Sequence, residues 1–398
     1  MTSDGLLARS WLQSACPMTE QFSTASFSYQ YGGSLAWNDP TYIQRGTDKT
    51  LAALIQQGKF AAVLAPRQMG KSSLRIRTRH QFASAGYQCV SLQANQLIDY
   101  QPTAPSISDA TASGQQWILG FIATIWEGLT STGAVPFLQW VHETSELCAS
   151  ERLERFVETF LSDALQQGPV LLLIDEVDAL LQGPCATELF EWIARCYHRR
   201  TTEPLFSRLN FVIFGTALPS DIPYHEALFS HGSQVTLLSF SRAEVTHLRP
   251  GFNNKLTDVT TLIDAVFNWT KGQPFLTQKL CGLLSGLIDS FMKPIYGPVA
   301  LSSRAVHQWV EQAVRSHIIE DWPTKDDPVH LRAISDRINA SPNAKALLML
   351  YKQVLSGKAV VRTAQKSQAE LLLSGIVVVE AGHLQVANDI YRQTFKLH

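Results

Sequence analysis

The chain has 398 residues and a formal net charge of −1, so its overall charge does not favour binding to nucleic acid or to an anionic membrane. The length is sufficient for two or three domains with sizeable cores, and the six scattered cysteines, without a C-x-x-C pair, argue against a disulfide framework and a zinc site. No segment has the roughly 18 continuous apolar residues of a membrane span, and the N-terminus lacks the layout of a secretory signal. We therefore expect a cytoplasmic protein without a membrane partner.

Residues 1–26 are rich in Ser, Thr and Gln. A segment of this composition buries too little apolar surface to fold by itself. We expect a loosely ordered leader in this region.

The first informative motif joins an apolar strand at Phe60–Leu64 to a turn and then to a helix. The turn and the start of the helix read Ala65, Pro66, Arg67, Gln68, Met69, Gly70, Lys71, Ser72 and Ser73. Backbone N–H groups in such a turn, together with the positive end of the helix, suit phosphate oxygens. We expect residues 65–73 to bind a nucleoside triphosphate, with Lys71 reaching the β- and γ-phosphates and the Ser72 hydroxyl holding Mg²⁺. Ala65 stands where the usual pattern has glycine, whereas Gly70 is expected to need a positive φ.

The helix after this turn is predicted to run from Ser72 to about Ala85. Arg75 and Arg79 share one of its faces, and we expect a solvated or ion-paired surface there. The stretch between Ala94 and Ser113 is rich in Ser, Pro, Thr and Ala, which is typical of a functional insertion or a mobile lid.

A second strand is predicted where the unbroken apolar run after Pro169 ends in Asp175, Glu176 and Asp178. Such a run indicates a buried parallel strand, and ligands of open α/β sheets bind at the carboxyl ends of their strands. Asp175 is therefore expected to bind the magnesium ion, directly or through water. Glu176 is expected to orient or deprotonate the attacking water.

A third apolar strand is predicted from Leu209 to Gly215, and it ends at the hydroxyl of Thr216. Two roles for Thr216 stay open, namely contact with the γ-phosphate or the attacking water, and capping of the next turn. A guanidinium from a neighbouring subunit can complete a phosphoryl-transfer site, since it stabilises the charge that develops on the transferred group. The candidates between the second and third strands are Arg195, Arg199, Arg200 and Arg208.

Beyond Leu238 the pattern changes from strands to successive helices, and a short fifth strand is predicted at Gln234–Leu238 just before this change. The chain then ends with a helix at Gln368–Leu373, an apolar hairpin that turns at Ala381-Gly382, and a last helix around Ile390–Phe395. Helix, hairpin and helix in this order are typical of a winged helix. Basic side chains are few in this region, so contacts with DNA phosphates have little support.

Several blocks give the chain a resemblance to the bacterial AAA-like domain family of P-loop ATPases, which is allied to the STAND regulators and to the origin-recognition type of ATPase. The resemblance covers roughly residues 27 to 397. The blocks are Tyr31-Gly-Gly-Ser-Leu, Pro40-Thr-Tyr-Ile-Gln-Arg45, the phosphate turn, Leu173-Ile-Asp-Glu-Val-Asp178, Thr270-Lys-Gly-Gln-Pro-Phe-Leu-Thr-Gln-Lys-Leu-Cys281, and Leu373-Ser-Gly-Ile-Val-Val378 with Ile390-Tyr391.

The resemblance implies roles for residues outside the three strands. Gly272 and Pro274 match the Gly-x-Pro motif, in which the proline packs near the adenine and the C-terminal half senses the nucleotide. Arg45 matches an N-terminal segment that lies against the base and ribose in related ATPases. A winged helix in such families serves more often as a lever or a protein contact than as a DNA-binding module.

The predicted fold is α/β, a P-loop NTPase parallel sheet with helices on both faces, followed by a helical region and a C-terminal winged helix. The expected domains are a P-loop ATPase domain at 27–240, a helical lid at 241–340 and a winged helix at 341–398. The leading hypothesis is a slow ATPase that uses ATP and Mg²⁺ as a regulatory switch or assembly protein, with a protein partner or a second copy as its target. The alternatives are a DNA-acting ATPase and a nucleotide-binding scaffold that never hydrolyses.

Overall fold

The computed structural model describes residues 27–98, 112–129, 135–292 and 297–396. The predicted leader lies outside these ranges. Residues 99–111 of the predicted insertion or lid also lie outside them. None of the helices in the described ranges combines the length and apolarity that crossing a membrane requires.

The strands and helices follow one another along the chain as bounded below. The strands are β1 Phe60–Leu64, β2 Gln88–Gln93, β3 Val170–Asp175, β4 Leu209–Gly215, β5 Gly232–Gln234, β6 Val360–Val361, β7 Val377–Glu380 and β8 His383–Val386. The α-helices are α1 Gly46–Gln56, α2 Lys71–Ser84, α3 Ala94–Ile98, α4 Ala112–Leu129, α5 Val135–Glu143, α6 Ala149–Phe156, α7 Ser162–Gln167, α8 Val177–Leu180, α9 Ala186–Arg199, α10 His225–Ser230, α11 Arg242–Val245, α12 Val259–Thr270, α13 Pro274–Leu287, α14 Ser303–Val314, α15 Trp322–Lys325, α16 Leu331–Ala340, α17 Ala344–Leu355, α18 Lys366–Ser374 and α19 Asp389–Thr394. Turns of 3₁₀ helix lie at Pro204–Arg208, Pro219–Asp221 and Thr246–Phe252, and π-helical turns at Val157–Leu161, Ile288–Met292 and Arg315–Ile319.

Five of the strands form a parallel sheet in the order β2-β3-β4-β1-β5. All residues of β1, β3 and β4 are buried, which explains why these strands are apolar apart from Asn210 in β4 and Asp175 at the end of β3. The fifth strand is shorter and earlier than predicted, because only Gly232–Gln234 pair with β1. Val235 and Leu237 follow β5 and are buried in a hydrophobic cluster. Their apolar side chains suggested a strand at Gln234–Leu238, although the residues that pair with β1 come earlier.

Helices cover both faces of this sheet, as predicted. Along β1 the side chains alternate, with Phe60, Ala62 and Leu64 in a cluster on one face. Ala61 and Val63 join a cluster on the other face. The first cluster is filled by α4, α6 and α9, including Trp117, Phe156 and Trp192, and the second by α1 and α2, including Leu51, Ile55, Leu74 and Phe82.

A third hydrophobic cluster joins the C-terminal helices to a small antiparallel sheet of order β6-β8-β7. The helix, hairpin and helix expected at the end of the chain are present as α18, β7–β8 and α19. Strand β6 was not predicted, because two residues give no measurable alternation. The winged-helix assignment and the domain boundaries stay predictions.

The N-terminal described segment packs onto this third cluster through Phe27, Tyr29 and Tyr31. The Tyr29 hydroxyl donates to the Leu248 carbonyl at 2.7 Å. The segment before β1 is therefore held by the C-terminal helices. Its residues 30–35 lie beside the carboxyl ends of β1 and β3.

Candidate functional site

A cavity of about 440 Å³ opens at the carboxyl ends of β1, β3 and β4. One wall comes from the turn and the start of α2, another from the ends of β3 and β4, and a third from the N-terminal segment and α13. The lining residues are 30–35, Thr41, Tyr42, Ile43, Arg45, 67–73, Asp175, Glu176, Asp178, Gly215, Thr216, Phe240, Pro274, Phe275, Gln278 and Pro328. The predicted residues Lys71, Ser72, Asp175, Glu176 and Thr216 thus meet at one cavity.

The turn before α2 has the positive φ that was expected at Gly70. Gly70 has φ of 87° and immediately precedes the first residue of α2. Gln68 also has a positive φ, of 59°, although its side chain favours the opposite sign. A Cβ atom at Gly70 would lie 3.2 Å from Nη2 of Arg45, so this position is restricted by a neighbour as well as by its backbone.

The Lys71 ammonium is held at the end of this turn. It donates to the carbonyls of Ala65 at 2.8 Å and Pro66 at 2.7 Å, and to the Thr216 hydroxyl at 3.1 Å. Burial lowers the pKa of Lys71 to about 8. The carboxylates of Asp178 and Asp175 oppose this change, whereas nearby arginines reinforce it. The cation is therefore poorly compensated, and a polyphosphate would suit its position.

Asp175 lies at the end of β3 and is 4% exposed. Its Oδ2 accepts a hydrogen bond from Nε of Arg75 at 2.9 Å, and its Oδ1 accepts one from the Glu176 backbone N–H at 2.9 Å. Arg75 also donates to the Ser91 hydroxyl. The expected surface pair of arginines is therefore found only for Arg79, which is exposed, because Arg75 points inward to the carboxylate.

The oxygen ligands of this cavity fit magnesium. Ser72 and Asp175 both line it, and hydroxyl and carboxylate oxygens are the donors that Mg²⁺ prefers. No group of three or more His, Cys, Asp or Glu side chains that could hold a metal occurs in the described part of the chain. Magnesium in nucleotide sites commonly takes one or two protein ligands, with waters and phosphates as the remainder. Asp175 would hold the ion directly or through water, and its role as a metal ligand stays a prediction.

Glu176 stands at the exposed mouth of the cavity with φ of 60°, a conformation that is rare for residues other than glycine. Desolvation raises its pKa, and repulsion from Asp175 and Asp178 adds to the effect. A carboxylate with a raised pKa is a better acceptor for a proton near neutral pH. The strained backbone and the raised pKa are both typical of a functional residue.

Thr216 is held by groups that the sequence did not single out. Its backbone N–H donates to Oδ1 of Asp178 at 3.1 Å, and its carbonyl accepts from Nη2 of Arg337 at 3.3 Å. Asp178 could have been suspected from its place three residues after Asp175. Arg337 lies on α16, and no local pattern connects it with β4.

Arg45 contacts the phosphate turn as well as an aromatic ring. Its Nη1 donates to the carbonyls of Met69 at 3.0 Å and Leu238 at 3.2 Å, and the guanidinium lies 5.4 Å from the centre of the Phe240 ring. Its Nε has no hydrogen-bond partner among the described residues. Burial lowers the pKa of Arg45. The structure thus places this cation beside the turn, and its expected contact with base and ribose stays a prediction.

Pro274 is the first residue of α13 and lines the cavity. Gly272 has φ of 74°, and its carbonyl accepts from the Phe240 N–H at 2.8 Å. Gln273 caps α13 through the Leu276 N–H at 2.6 Å, and its side-chain amide donates to the Gln68 carbonyl at 3.4 Å. The Gly-x-Pro segment therefore joins α13 directly to the phosphate turn.

The N-terminal segment also reaches the turn. The Leu35 N–H donates to the Ser73 hydroxyl at 3.0 Å, and residues 30–35 line the cavity. Ser73, predicted to bind nucleotide, thus has its hydroxyl engaged by the protein. This contact could not be predicted from local sequence, because it joins segments that are far apart in the chain.

The four arginines considered as fingers have partners within their own chain. Because a finger acts on the site of a neighbouring subunit, that role stays a prediction. Arg195 and Arg199 form ion pairs with Glu154, and Arg200 and Arg208 donate to backbone carbonyls of Leu209 and Leu165. All four are described residues, and none lines the cavity. Leu209 begins β4, so Arg200 lies at the amino ends of the strands, whereas Lys71 lies at their carboxyl ends.

Comparison with known proteins agrees with this geometry. Residues 30–285 match the family model described as AAA-like domain. The chain is 33% identical over 374 residues to an uncharacterized WD repeat-containing protein of Synechocystis, a match that covers 93% of this chain and 30% of the relative. The chain thus spans about a third of that relative's length.

Two solved structures are similar in fold. The Walker-type ATPase of Pyrococcus abyssi has a TM-score of 0.50 at 13% identity, over 92% of this chain and 99% of the other. The ORC2 protein of Aeropyrum pernix, solved as ADPNP and ADP complexes, has a TM-score of 0.44 at 12% identity, over 87% and 90%. The first similarity confirms the predicted α/β P-loop fold.

Proposed function

The chain belongs to the AAA-like domain family, and from this premise we propose that it binds ATP with Mg²⁺ and hydrolyses it slowly as a nucleotide-dependent switch. The observation that carries the proposal is the meeting of Lys71, Asp175, Glu176 and Thr216 at one cavity. Asp175, Glu176 and Thr216 come from the ends of β3 and β4, and Lys71 comes from α2, the helix after β1. A phosphate-binding turn, a metal-binding carboxylate and a base at this edge are the parts that phosphoryl transfer requires.

Each side chain has a role that follows from its position. Lys71 exchanges its carbonyl partners for the β- and γ-phosphates, because its ammonium is desolvated and poorly compensated where it stands. Ser72 and Asp175 hold Mg²⁺, which neutralises charge on the phosphates. Glu176 accepts a proton from the attacking water, and Thr216 orients the γ-phosphate or that water.

The switch proposal rests on contacts between the phosphate turn and the C-terminal region. The Gln68 side-chain amide donates to the Val329 carbonyl at 3.0 Å, and Arg337 donates to the Thr216 carbonyl. A ligand in the cavity would change the surroundings of both Gln68 and Thr216. Such a ligand shifts a conformational equilibrium only through contacts that differ between two states, and the proposal is that these contacts change when the nucleotide binds.

The target of the switch is proposed to be a protein, either a partner or a second copy. The Synechocystis relative contains WD repeats, and such repeats build propellers. Action on duplex DNA has less support. The hairpin β7–β8 exposes Val378 and Val379, whereas contacts with DNA phosphates need Lys or Arg. A shift assay with duplex DNA at several salt concentrations would detect such binding.

The experiment compares Lys71→Ala and Glu176→Gln with the wild type. Calorimetric titration with ATP and Mg²⁺ should show an affinity at least about tenfold weaker for Lys71→Ala, because a charged hydrogen-bond donor is lost. Glu176→Gln should bind ATP as the wild type does, with turnover reduced by about 100-fold or more. Lys59→Ala and Glu226→Gln, which change exposed residues away from the cavity, serve as matched controls.

The particle mass and the refuting outcomes complete the test. The particle mass with and without ATP and Mg²⁺ should change if the switch controls assembly of copies. Unchanged ATP affinity in Lys71→Ala would refute the site, and unchanged turnover in Glu176→Gln would refute the role of Glu176.

A further inference from the structure

We propose that Gln278 selects the base of the nucleotide, by accepting a hydrogen bond from the 6-amino group of adenine. The inference rests on the proposed function and adds to it the residue that determines specificity. It comes from a buried acceptor without a partner, Oε1 of Gln278, on a residue that lines the cavity. The roles proposed above for phosphate and metal binding do not use this atom.

Gln278 lies on α13 and is 5% exposed, and it lines the cavity. Its Nε2 donates to the backbone carbonyl of Thr41 at 3.0 Å. A carbonyl oxygen only accepts hydrogen bonds, so the amide NH₂ must face Thr41. The orientation of the amide is therefore fixed by its partner, and Oε1 is left on the other side.

Oε1 of Gln278 is buried and has no hydrogen-bond partner in the part of the chain that the structure describes. A buried acceptor without a partner costs free energy, so such atoms are rare in folded proteins and call for an explanation. Two other cavity residues have an unpartnered atom, namely Arg45 at Nε and Gln68 at Oε1. Arg45 and Gln68 both contact the phosphate turn or belong to it, whereas Gln278 does not.

The surroundings of Gln278 suit a flat base. Gln278 follows Pro274 by four residues, so the two share one face of α13. Phe240 and Phe275 line the same cavity and offer apolar contact to a ring. A ring system held among such side chains, with one fixed acceptor at its edge, is the arrangement that reads a base by its exocyclic group.

An acceptor at this position distinguishes the two purines. Adenine carries an amino group at position 6, which donates a hydrogen bond to Oε1. Guanine carries an oxygen there, which would face Oε1 as a second acceptor. A site built to pair with a polar group discriminates strongly against analogues that lack it. Gln278 therefore favours ATP and disfavours GTP.

The test titrates three nucleotides into the wild type, namely ATP, GTP and purine riboside triphosphate, which lacks only the 6-amino group. The wild type should bind ATP about five- to tenfold more tightly than purine riboside triphosphate, the factor expected for one neutral hydrogen bond. GTP should bind more weakly than either. The comparison needs no variant, so it does not depend on the folding of one.

The variant Gln278→Met removes the acceptor and keeps the length of the side chain. It should bind ATP and purine riboside triphosphate with equal affinity. Gln312→Met, the same change at an exposed position on α14, should keep the preference of the wild type. Equal affinity of the wild type for the two purines, or a preference that survives in Gln278→Met, would overturn the role of Gln278 and leave nucleotide binding intact. Failure of the wild type to bind any of the three would overturn the proposed function and this inference with it.

Discussion

Acidification should destabilise the C-terminal region through His330. This residue is 3% exposed, and its Nε2 lies 2.7 Å from the Tyr391 hydroxyl. Its ring is 4.6 Å from that of Phe275, and its backbone N–H donates to Asp326. Burial lowers the pKa of His330 from 6.5 to about 3, with Lys279 reinforcing the effect and Asp326 opposing it. The imidazole is thus neutral in the folded protein at pH 5, whereas it is protonated in the unfolded chain.

The sign follows from proton binding. Below pH 6.5 the unfolded chain binds a proton at His330 that the folded protein does not, so stability is present above this pH and is lost as the pH falls towards 3. The two pKa values differ by about 3.5, which corresponds to about 5 kcal/mol well below pH 3. Between pH 7 and pH 5 the loss is about 2 kcal/mol.

The assay is urea unfolding at pH 7 and pH 5 for the wild type and for His330→Gln, which keeps a polar atom near Tyr391 and does not titrate. The wild type should lose about 2 kcal/mol more unfolding free energy than the variant over this interval. His247→Gln, which changes an exposed histidine, should retain the pH dependence of the wild type. If the wild type and His330→Gln lost the same unfolding free energy between pH 7 and pH 5, the claim that His330 is buried as a neutral imidazole would be refuted.

Two substitutions test the framework of the cavity. Arg75→Met should lower stability by about 3–5 kcal/mol, because Asp175 would be left buried without its ion-pair partner; a melting temperature equal to that of the wild type would contradict this. Gly272→Ala should lower stability by several kcal/mol, on the order of a severe core mutation, because its Cβ would lie 1.9 Å from the Phe240 carbonyl oxygen at a φ of 74°. Gly286→Ala on the same α13 has open space around the added atom, so thermal unfolding should show little loss or a slight gain.

The part of the cavity at the carboxyl ends of the strands could be predicted because Asp175 ends a buried strand, and Glu176 and Thr216 each directly follow one. An apolar run that stops at a carboxylate or hydroxyl marks the carboxyl end of a strand, and parallel strands bring these ends together. This argument found Asp175, Glu176 and Thr216 from local sequence alone, whereas Lys71 was found from the turn motif between β1 and α2. The same argument predicted the parallel sheet, with an error only at the edge strand, where Val235 and Leu237 are buried without pairing.

The remaining parts of the site could not be found in this way. Gln278 lines the cavity and Arg337 donates to the Thr216 carbonyl, and both lie on helices far along the chain. Nothing in the periodicity of a helix shows which distant strand it meets. Arg75 was expected at the surface because its neighbour Arg79 is four residues away on the same face. Arg75 and Arg79 are one helical turn apart on α2, yet the first forms a buried ion pair and the second is exposed.

Some polar groups of the cavity are incompletely satisfied, and this has a consequence for stability. Lys71 has a lowered pKa, and Arg45 and Gln278 each have an atom without a partner among the described residues. Each of these features raises the free energy of the folded protein. A nucleotide that supplies phosphate oxygens and an amino group would remove these costs together. Ligand binding and folding stability are therefore coupled at this cavity, and the coupling acts on the phosphate turn, α13 and the N-terminal segment at once.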